Sequence, residues 1–203
     1  MYKLPYFTEQ DPEKVMAFIK EYYFAIITGM GERYPVATHI PLEIRHEGEQ
    51  LIFSGHLMRN SDHHKAFLKN DHVLVVFSGP HTYVSASWYT KPASASTWNY
   101  MTAHAKGKIK FGDEATTHEA VKKLTNRYES NDSPAAFDKL APDYVSRLVQ
   151  AIVSFDIVVE EMDNVFKLSQ NHDKATQESI AKHLGDKEDE DSKKIAREIL
   201  NRL

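Results

Sequence analysis

Two tryptophans and their neighbours form the stretch of this sequence that is best suited to bind a ligand. Trp88 and Trp98 are the chain's only tryptophans, and the amide of Asn99 and the phenol of Tyr100 follow the second one directly. Planar rings with polar groups beside them suit a flat ligand with polar edges. The alternative is a hairpin that packs its aromatic side chains into a barrel core, and the residues alone leave both interpretations open.

A second candidate site lies where a predicted strand passes into a predicted helix. The strand covers 50–55, and Arg59 and Asn60 come just before a helix that begins near Ser61. A guanidinium can bind phosphate through two hydrogen bonds, and the amides of a helix N-terminus add further donors. His56 either supports such a phosphate or is structural. The alternative is that Asn60 or Ser61 only caps the helix and that Arg59 is solvated.

A proline within a predicted strand marks a third candidate. Pro41 lies in the segment 34–44, and a strand proline indicates an edge, a bulge or a backbone that faces something other than a neighbouring strand, such as a ligand. Thr38 and His39 come just before it. His39 can equally be a core or interface histidine that is satisfied by the backbone.

Several common kinds of site are missing from the sequence. There is no cysteine, and therefore no disulfide or thiolate chemistry. His63 and His64 are adjacent rather than one helical turn apart, so they make no helical metal pair, and no metal is predicted. Neither a phosphate-binding glycine motif nor a Gly-x-Ser-x-Gly elbow occurs. No residue can be singled out as a general acid or base, although His39, His56 and Tyr100 are candidates.

Composition narrows the class of protein. The chain has 203 residues and is 41% hydrophobic, which is enough for a substantial core. A net charge of −4 disfavours non-specific binding to DNA, which depends on neutralising phosphates. No apolar run is long enough to cross a membrane, and the first residues do not resemble a signal peptide, so we expect a cytoplasmic protein without a membrane partner.

Periodicity and capping residues predict a β-rich chain with helices between its strands. Asp11 and Pro12 are typical of a helix start, and Thr117 and Ser192 are the predicted caps of two later helices. Ser78-Gly79-Pro80 is predicted to break the strand that begins at Val73, with a new strand from Tyr83 to Tyr89. The strands are predicted at 24–28, 34–44, 50–55, 73–77, 83–89, 103–111 and 152–161, and the helices at 12–22, 61–70, 116–130, 142–149, 175–184 and 192–203.

Five segments in this order resemble one known family. They are VATHIPL at 36–42, SGHLMRN at 54–60, GPHTYVSASWY at 79–89, TWNY at 97–100 and FKLSQN at 166–171. Together they are similar to the PaiB-type family, described as FMN-binding negative transcriptional regulators. That family resembles the split β-barrel flavin-binding proteins, such as the pyridoxamine-phosphate oxidases. The resemblance spans the chain from Met1 to about His172.

The resemblance implies an α+β fold that is rich in β-structure. The expected architecture is a split antiparallel β-barrel of the FMN-binding type with flanking helices. It would occupy residues 1–172, and residues 173–203 would form a C-terminal helical appendage packed on the same domain. Barrels of this type pair along the barrel, so the resemblance also implies a homodimer with FMN at the interface.

The resemblance also assigns roles to particular residues. Arg59 and Asn60 would hold the phosphate, and the strand that contains Pro41 would line the flavin. Where the family has an arginine after its Lys-Leu-Ser-Gln-Asn run, this chain has His172. The implied cofactor-binding residues are Thr38, His39, Pro41, Leu42, Gly55, His56, Arg59, Asn60, Trp88, Trp98, Asn99, Tyr100, Lys167 and Gln170.

Three functions remain open at this point. The first is an FMN-binding protein of the PaiB type that is linked to negative transcriptional regulation, for which the acidic charge and the poor recognition helix disfavour direct binding to an operator. The second is a flavin-dependent oxidoreductase acting on an unknown small molecule. The third is a binding or structural barrel that has lost its flavin, for which His172 is the motivating departure. FMN is the expected cofactor, although the sequence does not separate it from FAD or haem.

Overall fold

The computed structural model describes residues 1, 4–91 and 94–203. In these residues seven strands form one sheet and six α-helices accompany it. The strands are β1 (Phe24–Gly29), β2 (Val36–Pro41), β3 (Glu43–Glu47), β4 (Gln50–Met58), β5 (His72–Val84), β6 (Thr97–Phe111) and β7 (Ile152–Lys167). The helices are α1 (Pro12–Glu21), α2 (Asp62–Lys69), α3 (Glu114–Tyr128), α4 (Pro142–Ala151), α5 (Lys174–Gly185) and α6 (Glu190–Leu200).

The sheet has the strand order β2-β1-β5-β6-β7-β4-β3 and is antiparallel. The predicted strand 34–44 is therefore two strands, β2 and β3, which lie at opposite ends of this order although only Leu42 separates them in sequence. The amide of Leu42 donates to the carbonyl oxygen of Tyr23 at 2.9 Å instead of continuing a ladder. Pro41 ends an edge strand, where its missing amide proton costs no ladder bond.

The predicted break at Ser78-Gly79-Pro80 is wrong, because β5 runs without interruption from His72 to Val84. The glycine instead makes room for helix α1. A Cβ atom at Gly79 would lie 2.4 Å from Cε2 of Phe18, so the aromatic ring packs where a side chain would have been. The predicted strand at 83–89 is correspondingly absent, and Ala86–Trp88 forms a 3-10 turn after β5 ends.

Helix capping follows the sequence at some ends and departs from it at others. Asp11 caps α1 as predicted, since its carboxylate accepts from the amide of Glu13 at 2.9 Å. Helix α3 is capped by Asp113 rather than by Thr117, whose hydroxyl is buried and donates to the carbonyl oxygen of Asp113 at 2.7 Å. Helix α6 is capped by Asp189, so it begins before Ser192. In both cases an aspartate displaces a hydroxyl residue that lies further inside the helix.

The chain divides into two compact units. The first unit contains 1–22, 77–104 and 163–203, and the second unit contains 23–76 and 105–162. Helices α5 and α6 belong to the first unit, and the predicted boundary at residue 172 remains a prediction. No helix in the described residues is both long and apolar enough to cross a bilayer.

Each unit has its own apolar core. In the first unit, α1, α5 and α6 bury residues that are completely inaccessible to solvent: Ile19, Ile180, Leu184, Ile195 and Ile199. In the second unit the sheet completely buries Ile27, Phe53, Val75 and Ile157, and α2 adds Phe67, which is 1% exposed. Burial of a large apolar side chain contributes roughly 1.5–3 kcal/mol, so these two sets fix the strands and helices that carry the candidate site.

Candidate functional site

A cavity of about 280 Å³ in the second unit collects four of the sequence-predicted residues. Pro41 and Leu42 reach it from the end of β2, and Gly55 and His56 reach it from β4. Helix α3 closes the opposite wall. The remaining lining residues are Tyr23, Glu43, Ser54, Ala120, Lys123, Leu124, Arg127 and Tyr128.

The imidazole of His56 is an uncharged hydrogen-bonding group in this cavity. Burial lowers its pKa below the ordinary value of 6.5, so it is neutral near pH 7. Its ring makes no hydrogen bond with any other residue of the described chain. A neutral imidazole carries one donor and one acceptor, and both are available to a ligand.

The wall formed by α3 carries charge and aromatic surface that the sequence did not reveal. Lys123 pairs with Glu43 at 2.5 Å. The guanidinium of Arg127 lies 5.7 Å from the ring centres of both Tyr23 and Tyr128. The hydroxyl of Tyr128 donates to that of Tyr23 at 3.0 Å. No local sequence motif predicts that these residues line the cavity, because α3 is distant in sequence from β2 and β4 and contacts them only in the folded protein.

Gly55 is a cofactor-binding candidate whose missing side chain is used by the protein itself. It faces Phe155 across the β4–β7 ladder. A Cβ atom at Gly55 would lie 2.8 Å from Cζ of Phe155 and 3.1 Å from Cγ2 of Ile40. Because Gly55 has no side chain, the ring of Phe155 can pack closely over β4. Gly55 therefore borders the cavity with its backbone.

The turn between β4 and α2 holds Arg59 and Asn60. The amide of Arg59 donates to the carbonyl oxygen of Ala151 at 2.9 Å. Asn60 has a φ of +60°, and its amide donates to Nδ1 of His64 at 3.1 Å. The half-buried Arg59 side chain has no ion pair or hydrogen bond with another described residue. An ordered backbone thus presents a free guanidinium.

The helix that follows this turn offers fewer free donors than the sequence indicates. Ser61 caps α2 by accepting from the amide of His64 at 3.2 Å, and Asp62 accepts from the amide of His63 at 2.7 Å. Of the alternative to a phosphate site, the part in which Ser61 caps the helix is confirmed. Because two amides of the first turn already have partners, any phosphate at this turn depends mainly on Arg59.

The predicted residues on β2 lie along the edge of the sheet. Thr38 pairs with Ile27, and His39 pairs with Ile26. His39 is exposed, and its ring stacks on Phe24 with 6.2 Å between centres. The alternative of a core histidine is therefore wrong, because the side chain points to solvent.

The two tryptophans lie in the first unit in different environments. Trp88 stacks on His183 with 5.1 Å between ring centres and an interplanar angle of 7°. Trp98 is 54% exposed, with Tyr83 and His81 each 6.1 Å away. Trp98 is thus not a core residue, whereas Trp88, the last residue of the 3-10 turn, packs against α5.

Asn99 and Tyr100 follow Trp98 on β6 and differ in exposure. Asn99 is completely buried, and its amide nitrogen donates to Oγ of Ser169 at 2.9 Å. Ser169 has a φ of +67°, so this bond holds a strained turn after β7. Tyr100 is half-buried on the opposite face of the strand.

Lys167 and Gln170 also have partners within the first unit. Lys167 donates to the hydroxyl of Thr97, and burial lowers its pKa. Gln170 folds back on its own turn, donating to the carbonyl oxygen of Phe166 and accepting from the amide of Leu168. His172, which replaces the family arginine, packs on Tyr89 with 4.5 Å between ring centres.

The fourteen predicted cofactor-binding residues are divided between the two units. Eight of them belong to the second unit. The other six belong to the first unit: Trp88, Trp98, Asn99, Tyr100, Lys167 and Gln170.

The hydrogen bond to His64 predicts a loss of stability in mild acid. Burial and the charge of Arg59 lower the pKa of His64 below 6.5, and its Nδ1 must be unprotonated to accept from Asn60. Below about pH 6.5 the unfolded chain binds a proton that the folded chain resists, so the free energy of unfolding falls as pH falls. The substitution His64→Asn keeps a side-chain acceptor but does not titrate. We expect urea denaturation between pH 7.5 and 5 to show a smaller decrease for this variant than for the wild type.

The control for this measurement is His46→Asn at an exposed position of β3. It should retain the decrease of the wild type. If the decrease is the same in His64→Asn, His64 does not contribute to the acid lability.

Comparison with known proteins identifies the fold and the family. A family model described as "Putative FMN-binding domain" matches residues 1–161. The protein named protease synthase and sporulation protein PAI 2, from Bacillus subtilis strain 168, is 30% identical over 204 residues, covering 100% of this chain and 98% of the relative.

Solved structures with low sequence identity share the fold. A flavocytochrome from Azotobacter vinelandii has a TM-score of 0.60 and 16% identity, covering 82% of this chain and 72% of that one. An FAD- and haem-binding protein from Mycobacterium smegmatis has a TM-score of 0.57 and 14% identity, covering 79% and 73%. The expected split-barrel fold is confirmed, and FMN is confirmed as the cofactor of the matching family. The chain belongs to the PaiB-type family of FMN-binding split-barrel proteins.

Proposed function

We propose that this protein binds FMN with the β4–α2 turn and the neighbouring strands of the second unit, and that it acts in negative regulation of transcription. The observation that carries the binding proposal is the guanidinium of Arg59, which is held on an ordered turn without a partner among the described residues. An anion bound beside this half-buried guanidinium would supply the hydrogen-bond and charge partner that it lacks.

The residues around this turn suit a phosphate group. Arg59 supplies a planar donor set, and Lys65 is an exposed lysine close enough for its charge to lower the pKa of His64. The exposed Asn60 side chain adds an amide. Asp62 opposes an anion at this position, so the balance of charge depends on Arg59 and Lys65 together.

The strands beside the turn suit a flat heterocycle. The backbone of Gly55 and the side chains of Pro41, Leu42 and the neutral His56 form an apolar surface with few polar groups. Thr38 and His39 extend it along β2. FMN itself supplies the hydride and electron chemistry when it is bound, and the residues of this chain would bind and orient it.

We also propose a homodimer. Trp98 and Tyr83 are exposed aromatic residues that lie beside each other, at 54% and 46% exposure. Exposed aromatic residues of this kind are typical of interface anchors. In a dimer this face of the first unit would be covered by a second copy, consistent with the cofactor-binding role predicted for Trp98.

Regulation by this protein would be indirect. The Bacillus subtilis relative, which is similar over its full length, is named for protease synthesis and sporulation, and this name supports a regulatory role. The net charge of −4 disfavours contact with DNA phosphates. On α6, Lys193 pairs with Glu190 and Lys194 pairs with Glu21, so neither offers a free charge to a duplex.

An absorbance titration combined with light scattering tests the proposal. We expect purified protein to shift the absorbance bands of added FMN, with a mass near twice that of the chain. Transcript levels in cells with and without the gene test the regulatory part. A protein that leaves the FMN spectrum unchanged at saturating concentrations would overturn the binding proposal, and a monomer would overturn the dimer.

A further inference from the structure

We propose that the cavity between β2, β4 and α3 binds a small planar carboxylic acid, with Arg127 as its charge partner. The inference deepens the proposed function, because it names a second ligand beside the strands that would line the flavin. The proposal depends on the charge, the hydrogen-bond donors and the size of the cavity.

The charges that line the cavity leave one positive charge without a counterion. Glu43 neutralises Lys123 through a contact of 2.5 Å. Arg127 has no carboxylate within ion-pair distance among the residues that the structure describes. Its exposed side chain lies instead against two tyrosine rings, which attract a cation but leave its N–H donors free. An anionic ligand would complete this arrangement.

Uncharged donors lie on the same cavity. Because Tyr128 donates to Tyr23, the hydroxyl hydrogen of Tyr23 is free to point elsewhere. The ring of His56 keeps its own N–H, for which the described residues offer no acceptor. A carboxylate accepts hydrogen bonds through both of its oxygens, so it can use the donors of Arg127, Tyr23 and His56.

The size and the walls of the cavity indicate the rest of the ligand. Its volume of about 280 Å³ lies just below the range that is usual for small-molecule sites, which is roughly 300–1,000 Å³. Pro41, Leu42 and Leu124 supply apolar surface, and Tyr23 supplies an aromatic face. A single aromatic ring that carries a carboxylate fits this volume against α3, and a flavin ring on the strands would contact Pro41, Leu42 and His56 from the other side.

Benzoate and benzamide are the probes for this site. They have the same ring, but only benzoate carries the charge. We expect benzoate to bind the protein in isothermal titration calorimetry both with and without FMN, and to perturb the flavin spectrum when FMN is bound, with benzamide at least 10-fold weaker. Arg127→Gln should lower the association constant for benzoate about 10-fold or more and leave that for benzamide unchanged. Tyr23→Phe should lower the association constant for benzoate by a smaller factor than Arg127→Gln does.

The matched control is Arg147→Gln, which removes an exposed arginine from α4 in the same unit without touching the cavity. It should bind benzoate as the wild type does. Equal affinities of the wild type for benzoate and benzamide would overturn the inference even if Arg127→Gln failed to fold. So would normal benzoate binding by a folded Arg127→Gln.

The design separates this inference from the proposed function. A protein that binds FMN but not benzoate contradicts only the inference. A protein that binds benzoate but not FMN contradicts only the proposed function. If Arg127→Gln loses FMN to the same extent as benzoate, Arg127 belongs to the flavin site and the separate acid site is overturned.

Discussion

Replacing Arg59 with alanine should weaken the binding of FMN by roughly 10- to 100-fold. A hydrogen bond to a charged group contributes about 1.5–3 kcal/mol, and each 1.4 kcal/mol changes affinity tenfold. The fold should persist, because only the backbone of Arg59 is bonded to the rest of the protein, through Ala151. Quenching of flavin fluorescence on binding measures the dissociation constant.

Riboflavin provides an internal control for this substitution, because it has the flavin ring without the phosphate. Arg59→Ala should leave the affinity for riboflavin unchanged, so that the preference for FMN over riboflavin disappears. Arg33→Ala removes the same charge from an exposed position before β2 and should affect neither ligand. Equal losses for FMN and riboflavin would show that Arg59 does not contact the phosphate.

Introducing a side chain at Gly55 should destabilise the protein by about 1–3 kcal/mol, the usual cost of inserting atoms into a packed region. The Cβ atom of Gly55→Ala would lie 2.8 Å from Phe155, closer than two carbon atoms can approach without movement. The ring of Phe155 is itself 2% exposed and cannot move freely. Urea denaturation of the variant measures the change.

A double substitution tests whether Phe155 is the cause. Phe155→Leu removes the part of the ring that meets the new methyl group, so Gly55→Ala should cost less in that background than in the wild type. The coupling free energy of the double-mutant cycle should be favourable and about 0.5–3 kcal/mol. Additive effects of the two substitutions would contradict the close packing of Gly55 on Phe155.

Local patterns predicted most of the elements, and long-range packing explains the errors. Asp11-Pro12 marked the start of α1 correctly, because a cap acts within one turn of helix. The break expected at Ser78-Gly79-Pro80 did not occur, and Gly79 has a packing role instead, because Phe18 from a distant part of the chain fills the space over it. The division of the segment 34–44 into two strands was missed for the same reason: Leu42 bonds to Tyr23.

Contiguous motifs predicted residues that the structure brings together, although their role in binding a cofactor stays a prediction. VATHIPL and SGHLMRN contributed Pro41, Leu42, Gly55 and His56 to one cavity, as the resemblance implied that they would be near a ligand. Arg127 belongs to no motif, and its position depends on how α3 packs over the strands. A regular amphipathic helix shows which of its faces is buried but not which strands it covers.

The single residue between β2 and β3 makes this connection intolerant of changes in length. Side chains alternate between the two faces of a strand, so deleting Leu42 or adding one residue would turn one of the two strands over. Pro41 and Glu43, which line the cavity from either side of Leu42, would then no longer face it together. Homologues that keep this cavity should therefore vary in residue type at this connection but not in the number of residues.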